Sequence, residues 1–267
     1  MTIHKTAILA PDAKIDPSVE IGAYSTVGSG VSIGENSVIG AHCHIEGCVS
    51  IGRNNKVFPF VSIGCSPQDI KFSGERSFVR IGDGNVIREF VTVHSAEGID
   101  NETVIGNGNF LMAYVHIAHN CVVANQVIMA NCVTLAGHVF VGNKAVIGGL
   151  TGIHQFCHIG ELSMIGGMSK IVKDVPPFMK VDGNPARIVG LNAIGLRRND
   201  VPRDSIDRIR KLFRLFFRSG LSVSQALDEL SQSDEACSDP FIKSFFDFVK
   251  SSKRGIYKRT REDNSEG

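Results

Sequence analysis

The chain has 267 residues, 43% of them apolar, and a formal net charge of only +1, which suits one large domain with a smaller appendage and a sizeable core. No stretch reaches the ~18 consecutive apolar residues of a membrane-spanning helix. The opening MTIHKTAILAPDAKI lacks both the basic start and the apolar run of a secretion signal. Seven cysteines, at 43, 48, 65, 121, 132, 157 and 237, form no CxxC pair, so a reducing compartment and a cytoplasmic protein are expected.

From residue 9 onward an aliphatic residue falls on every sixth position: Leu9, Ile15, Ile21, Val27, Ile33, Ile39, Ile45, Ile51, Val57 and Ile63. The phase returns at Ile81, Ile87 and Val93, and again from Ile105 through Ile117, Met129 and Ile147 to Ile171. Six matches neither a helical stripe nor a long alternating strand. It matches a short strand and a turn repeated three times per coil, with glycine after many aliphatics to permit the corner. The expectation is a β solenoid, a parallel β-helix of hexapeptide repeats. Nine coil intervals from Leu9 to Ile171 would make a prism about 45 Å high at the β spacing. Two polar excursions, 64–80 and 94–104, keep the phase and are expected to leave a corner as loops.

The period stops at KDVPPFMKVDGNPARIVG, where adjacent prolines argue against further regular coils. Helices are predicted over 202–220, with Ile206, Ile209, Leu212, Phe213 and Phe216 on one side, then over 221–232 and 239–255. The division is therefore 1–190 for the β-helix and 191–267 for a C-terminal α-helical domain, ending in a mobile TREDNSEG tail. Residues 197–261 hold 15 Lys or Arg against 9 Asp or Glu, a surface for an acidic partner. Nucleic acid fits less well, because the rest of the chain is slightly acidic and carries no such motif.

The three-hexad coil also sorts the histidines. His119 stacks over Gly137 and then Gln155, with His138 and His154 beside that column. The glycine leaves room above His119, and a neutral imidazole is a competent general base at pH 7. His116 precedes inward Ile117 and is less well placed; His42 and His44, far along the prism, suit structural or surface roles. Other readings stay open at this point. The polar cluster could line a subunit interface, or the prism could be a non-catalytic scaffold. His119, His154 and His158 could hold zinc between chains, although separations of 35 and 4 do not keep one column.

The hexads together with HIAHN, LAGHV, GIHQFC and DVPPF resemble the acyl-carrier-protein:UDP-N-acetylglucosamine O-acyltransferases that begin lipid A synthesis, over almost the whole chain. The resemblance implies a left-handed β-helix, a homotrimer closed by C3 symmetry and a 3-hydroxyacyl transfer from acyl carrier protein to the sugar 3-hydroxyl. It implies no cofactor, since 4′-phosphopantetheine arrives on the carrier. His119 matches the family's general base, but the aspartate that follows it there is Asn120 here. Gly149 matches an oxyanion donor. Asp69 and Lys71 of PQDIK, with His116, His138 and Gln155, match substrate contacts. Asn192 and Arg198 match contacts to the acyl or pantetheine arm and to the nucleotide phosphates, although Ile194 and Asn199 depart from the family pattern. Gly167 matches the residue that sets acyl length, here about twelve to fourteen carbons, with ~0.8 kcal/mol at stake per buried methylene. An N-acyltransfer onto a 3-amino UDP-sugar in the same site is the nearest alternative. The related N-acyltransferases that act on a UDP-sugar amine carry an N-terminal uridine-binding domain, for which hexads starting at residue 9 leave no space.

Overall fold

The computed structural model describes residues 2–232 and 239–257; Cys237 and the TREDNSEG tail lie outside the described residues. Two-residue strands alternate with turns and stack into three parallel sheets. We number the sheets by an inward residue of each: sheet 1 through Ile21, sheet 2 through Val27 and sheet 3 through Ile33. The repeat fixes the register directly: Val27 lies opposite Ile45, and Ile117 opposite Leu135, each pair separated by one full coil of three hexads. The inward aliphatics from Ile21 to Ile171 are at most 3% exposed and form one continuous core. Together with the helices packed at its end, this is the expected left-handed β-helix with a C-terminal helical bundle.

Three expectations change in detail. The sheet 2 partners run Leu9, Val27, Ile45, Ile63, Val93, Ile117, Leu135, Ile153 and Ile171. That is eight intervals rather than nine, about 38 Å at the β spacing. The two loops lengthen the coils that carry them, so that Ile63 pairs with Val93 and Val93 with Ile117. Between them they absorb the length of one coil without disturbing the phase. The prism also continues past the prolines. Val175 bridges Ile159, and Met179–Asp182 adds a parallel strand to sheet 1 before turning back antiparallel through Arg187–Leu191.

The third change concerns glycine. The backbone enters the left-handed region two residues beyond the glycine, at Tyr24, Asn36, His42 and Asn54, and also at Phe60, where Phe58 takes the glycine's place. The glycines serve close approach instead: a Cβ at Gly40 would lie 2.7 Å from the Pro59 nitrogen. At these positions the side chain projects outward, and one corner of the prism carries an unbroken stack of Tyr24, His42, Phe60, Phe90 and Tyr114, with ring centroids 4.8–5.1 Å apart.

Beyond the prism lie α1 (Ala193–Arg198), α2 (Arg203–Arg218), α3 (Val223–Ser231) and α4 (Pro240–Ser251). The last three match the predicted helices, and α2 buries Ile206, Ile209, Leu212, Phe216 and Phe217. Helix α3 starts with a capping box between Ser222 and Gln225, and α4 with Asp239 accepting from the Phe241 and Ile242 amides. Ring contact between Phe216 and Phe245 joins α2 to α4.

Candidate active site

The corner between sheets 2 and 3 collects the polar residues. His119 follows Ile117 of sheet 2, and its side chain is 10% exposed. Its Nδ1 lies 2.8 Å from Asn120 Oδ1. Asn120 is itself fixed: its Nδ2 donates to the Glu97 carbonyl at 3.0 Å, and its Oδ1 accepts from the Glu97 amide at 2.9 Å. With the oxygen so assigned, His119 Nδ1 must carry the proton, which leaves Nε2 as the basic nitrogen. That nitrogen points toward Asp69 Oδ2 at 3.8 Å. Gly137 lies directly beneath the ring, and a Cβ there would collide with Nε2 and Cε1. The predicted column is therefore present, and it requires glycine at 137.

His138 meets His119 edge to face at 5.2 Å and stacks on Phe156 at 4.7 Å. Burial, and then His119, hold its imidazole below the usual histidine value, against the Glu97 and Asp69 carboxylates. His116 turns the other way along sheet 2. Its Nδ1 bonds Thr92 Oγ1 at 2.7 Å and its ring abuts His94. Burial, reinforced by His94 and His119, pushes His116 down to about 4, so it stays neutral at pH 7 but is a weak base there. Gln155 and His154 occupy the same corner and are exposed.

The 64–80 loop brings Asp69 to this corner. Asp69 accepts from the Lys71 amide at 2.8 Å, a local turn that leaves the Lys71 side chain in solvent. The 94–104 loop brings Glu97, whose carboxylate is 3.9 Å from His138 Nε2. Sequence reasoning missed Glu97 and His94, whose buried Nδ1 has no hydrogen-bond partner. The only sequence signal for either was membership of a polar excursion.

Other expected site residues lie elsewhere on the chain. Gly149 and Gly167 stack at the corner between sheets 1 and 2, where a Cβ on Gly167 would sit 3.2 Å from the Gly149 oxygen. Within one chain the glycine beside His119 is thus Gly137, not Gly149. Asn192 is buried, donates to the Leu162 carbonyl at 2.8 Å and caps α1 through the Gly195 amide. Arg198 is exposed at the end of that helix. Among the described residues, His119, His154 and His158 do not come within metal-ligand distance of one another; the donors grouped around His119 are Glu97 and His138.

A hexapeptide β-helix with a fixed imidazole between two corner loops is an architecture that fits the hexapeptide-repeat transferases, and similarity to known proteins assigns the chain to that class. Residues 102–137 match the bacterial transferase hexapeptide model, and 174–257 match the second domain of UDP-N-acetylglucosamine O-acyltransferase. The acyl-[acyl-carrier-protein]–UDP-N-acetylglucosamine O-acyltransferase of Thermodesulfovibrio yellowstonii is 48% identical over 95% of this chain and 98% of its own. That of Paracidovorax citrulli is 45% identical over 96% and 98%. Among solved structures, LpxA from Acinetobacter baumannii superposes with a TM-score of 0.92 at 42% identity, covering 96% of this chain and 100% of that one. The Francisella novicida UDP-N-acetylglucosamine acyltransferase gives 0.94 at 34%, covering 98% and 96%. The chain belongs to the UDP-N-acetylglucosamine O-acyltransferase family.

Proposed function

We propose that this protein transfers a 3-hydroxyacyl chain from acyl carrier protein to the 3-hydroxyl of UDP-N-acetylglucosamine, the first step of lipid A synthesis, in the cytoplasm. The observation that carries this reading is His119, with Nδ1 committed to Asn120 and Nε2 turned toward the loop that holds Asp69. A sugar hydroxyl is a poor nucleophile at neutral pH. Nε2 takes its proton as the oxygen attacks the thioester carbonyl. The tetrahedral intermediate then collapses, and the departing pantetheine sulfur receives that proton from the imidazolium. No cofactor is needed, because the pantetheine enters with the carrier.

In this reading Asp69, Lys71, His138 and Gln155 hold the sugar and nucleotide, while His116 supports the site from within sheet 2. The glycine column of Gly149 and Gly167 forms a groove without side chains for the acyl chain, and the Gly149 amide stabilises the oxyanion. Arg198 meets the diphosphate. Asn192 contributes by fixing the start of α1 that presents Arg198, since both ends of its amide are already bonded.

These groups sit on different parts of one chain, which favours a homotrimer in which one copy's glycine corner faces the next copy's histidine corner. C3 closure does this and covers the apolar flanks Phe90, Tyr114 and Phe156, which are 42%, 57% and 48% exposed in the single chain. No helix among the described residues is long and apolar enough to cross a membrane. The test uses purified protein with UDP-N-acetylglucosamine and a 3-hydroxyacyl carrier. Equal amounts of 3-O-acyl sugar and free carrier thiol are expected, from a particle of about three times the 28.8 kDa chain mass. Turnover only on a 3-amino sugar would move the acceptor, and an active monomer would remove the shared cleft.

A further inference from the structure

A second group of donor atoms lies at the root of the 64–80 loop, along the same corner as His119 but two to three coils before it. His44 Nε2, a Glu46 carboxylate oxygen and Cys65 Sγ all fall within 4.8 Å of one another. His44 and Glu46 stand on the outer side of one coil, with Nε2 and Oε2 3.3 Å apart. Thr26 Oγ1 lies 2.6 Å from His44 Nδ1. With Nδ1 donating to that hydroxyl, the Nε2 lone pair is aimed at the other two groups, the orienting bond that metal-binding histidines commonly make.

Cys65 reaches them through a local irregularity. The register slips between Ile63 and Cys65, so that Cys65 pairs with His94. Gly64 takes a φ of +89°, and a Cβ there would collide with the Glu46 carbonyl oxygen. This bulge folds the start of the loop onto the preceding coil and presents the thiol toward Glu46. Ser62 Oγ lies 3.0 Å from the sulfur and can donate to it as a thiolate.

The geometry points to a zinc site built from His44, Glu46 and Cys65, with one open position for water. Imidazole, carboxylate and thiolate are the zinc donor set, and tetrahedral ligands about 2.0–2.3 Å from the ion lie roughly 3.3–3.8 Å apart. The His44–Glu46 separation already has that span, and the sulfur closes the triangle by a side-chain rotation. A divalent cation between the sulfur and the Glu46 carboxylate attracts both donors and removes their mutual repulsion. Ligation by Cys65 ties the root of the loop carrying Asp69 and Lys71 to the rigid coil beneath it. The reading does not depend on the reaction assigned to the His119 corner.

Cobalt titration of chelator-treated, desalted protein tests it, because a thiolate ligand adds a sulfur-to-cobalt charge-transfer band. One equivalent per chain should develop that band, and zinc should displace it. Cys65→Ser should abolish it, and His44→Gln or Glu46→Gln should weaken binding at least about tenfold. His119→Ala should leave it intact, separating the site from Glu97, His119 and His138. Zinc should also slow amide exchange across residues 66–77 in the parent protein but not in Cys65→Ser. Absence of the band, its survival in Cys65→Ser, or insensitivity to both coil substitutions would overturn the site. Unchanged exchange would overturn the clamp.

Discussion

Two corners of the prism share one backbone and carry opposite chemistry. Between sheets 1 and 2 the outward positions hold Tyr24, His42, Phe60, Phe90 and Tyr114 in a stack. Further along, the same corner carries Leu150 and Met168 beside the bare glycines Gly149 and Gly167. Between sheets 2 and 3 the equivalent positions hold Asn120, His138 and Phe156, overhung by two polar loops. Coil stacking and the inward aliphatics are equivalent at both corners. The core therefore sets where a corner residue stands and leaves its identity open, so a solenoid can place a base on one edge and a groove on another without a stability conflict.

The largest expected effect comes from removing the proposed base. His119→Ala should lower kcat by roughly 10² to 10⁴, the usual effect of a positioned general base, with little change in the KM for the sugar. His116→Ala should cost less, because its nitrogen is turned to Thr92 and its imidazole is already held at about 4. Equal losses in the two variants would sink the distinction between them.

A methionine at 167 probes the other corner. Gly167→Met puts a side chain where Gly149 and Gly167 now form a bare column, and should shorten the preferred acyl chain. Excluding three or four methylenes corresponds to about 2–3 kcal/mol, or roughly 10² in kcat/KM between long and short donors. Competition between carriers of different chain length measures it, and an unchanged preference would place the acyl groove elsewhere.

The repeat made most of the fold legible, because each inward position is tested again on the next coil. Coil number was not, since both loops lengthen their coils by whole hexads and leave a count in sixes unaltered. Helix α1 escaped because a helix of under two turns is too short to show a period, and its cap, Asn192, is singled out by the family resemblance alone. In the site, the column of His119, Gly137 and Gln155 follows from arithmetic alone. The location of Gly149 also obeys that arithmetic: counted in hexads it lies one coil plus two corners beyond His119, so the two cannot share an edge of one chain. Glu97 had no such rule to betray it. Loops keep no register, and its place depends on bonds to Asn120 that sequence spacing does not encode.

The basic helical end gives a smaller effect, and the structure narrows which charges matter. The basic excess expected to meet an acidic partner falls, within α2, on Arg203, Arg208, Arg210, Lys211 and Arg214. Arg208 instead bonds buried Asp239 at 2.9 Å, beside Ser205, and thereby ties α2 to the start of α4. Arg210 pairs with Asp207 on its own helix. Arg203 and Arg214 are exposed. Reversing both to Glu should raise the carrier KM by about 3- to 10-fold at low salt, with the difference fading as salt rises and the sugar KM unaffected. Arg208→Glu should lower thermal stability as well, because it leaves the Asp239 carboxylate buried without its cation. A carrier KM indifferent to the double reversal would move docking off this surface.

The smallest effect tests why Asn120 stands where the resemblance leads one to expect aspartate. A carboxylate at 120 would still accept from His119 Nδ1 and would favour the imidazolium that forms during catalysis. It would also lose the amide donor that now bonds the Glu97 carbonyl at 3.0 Å, setting two oxygens against each other at the anchor of the 94–104 loop. The two consequences oppose each other in rate. Asn120→Asp should therefore change kcat at neutral pH by less than about tenfold, while the acidic limb of its pH–rate profile moves to higher pH. Faster amide exchange over 94–104 should accompany it as the Glu97 anchor loosens. A profile that stays in place while the loop loosens would show that residue 120 acts on the loop alone. A shifted profile with an unchanged loop would mean that the bond to Glu97 is dispensable.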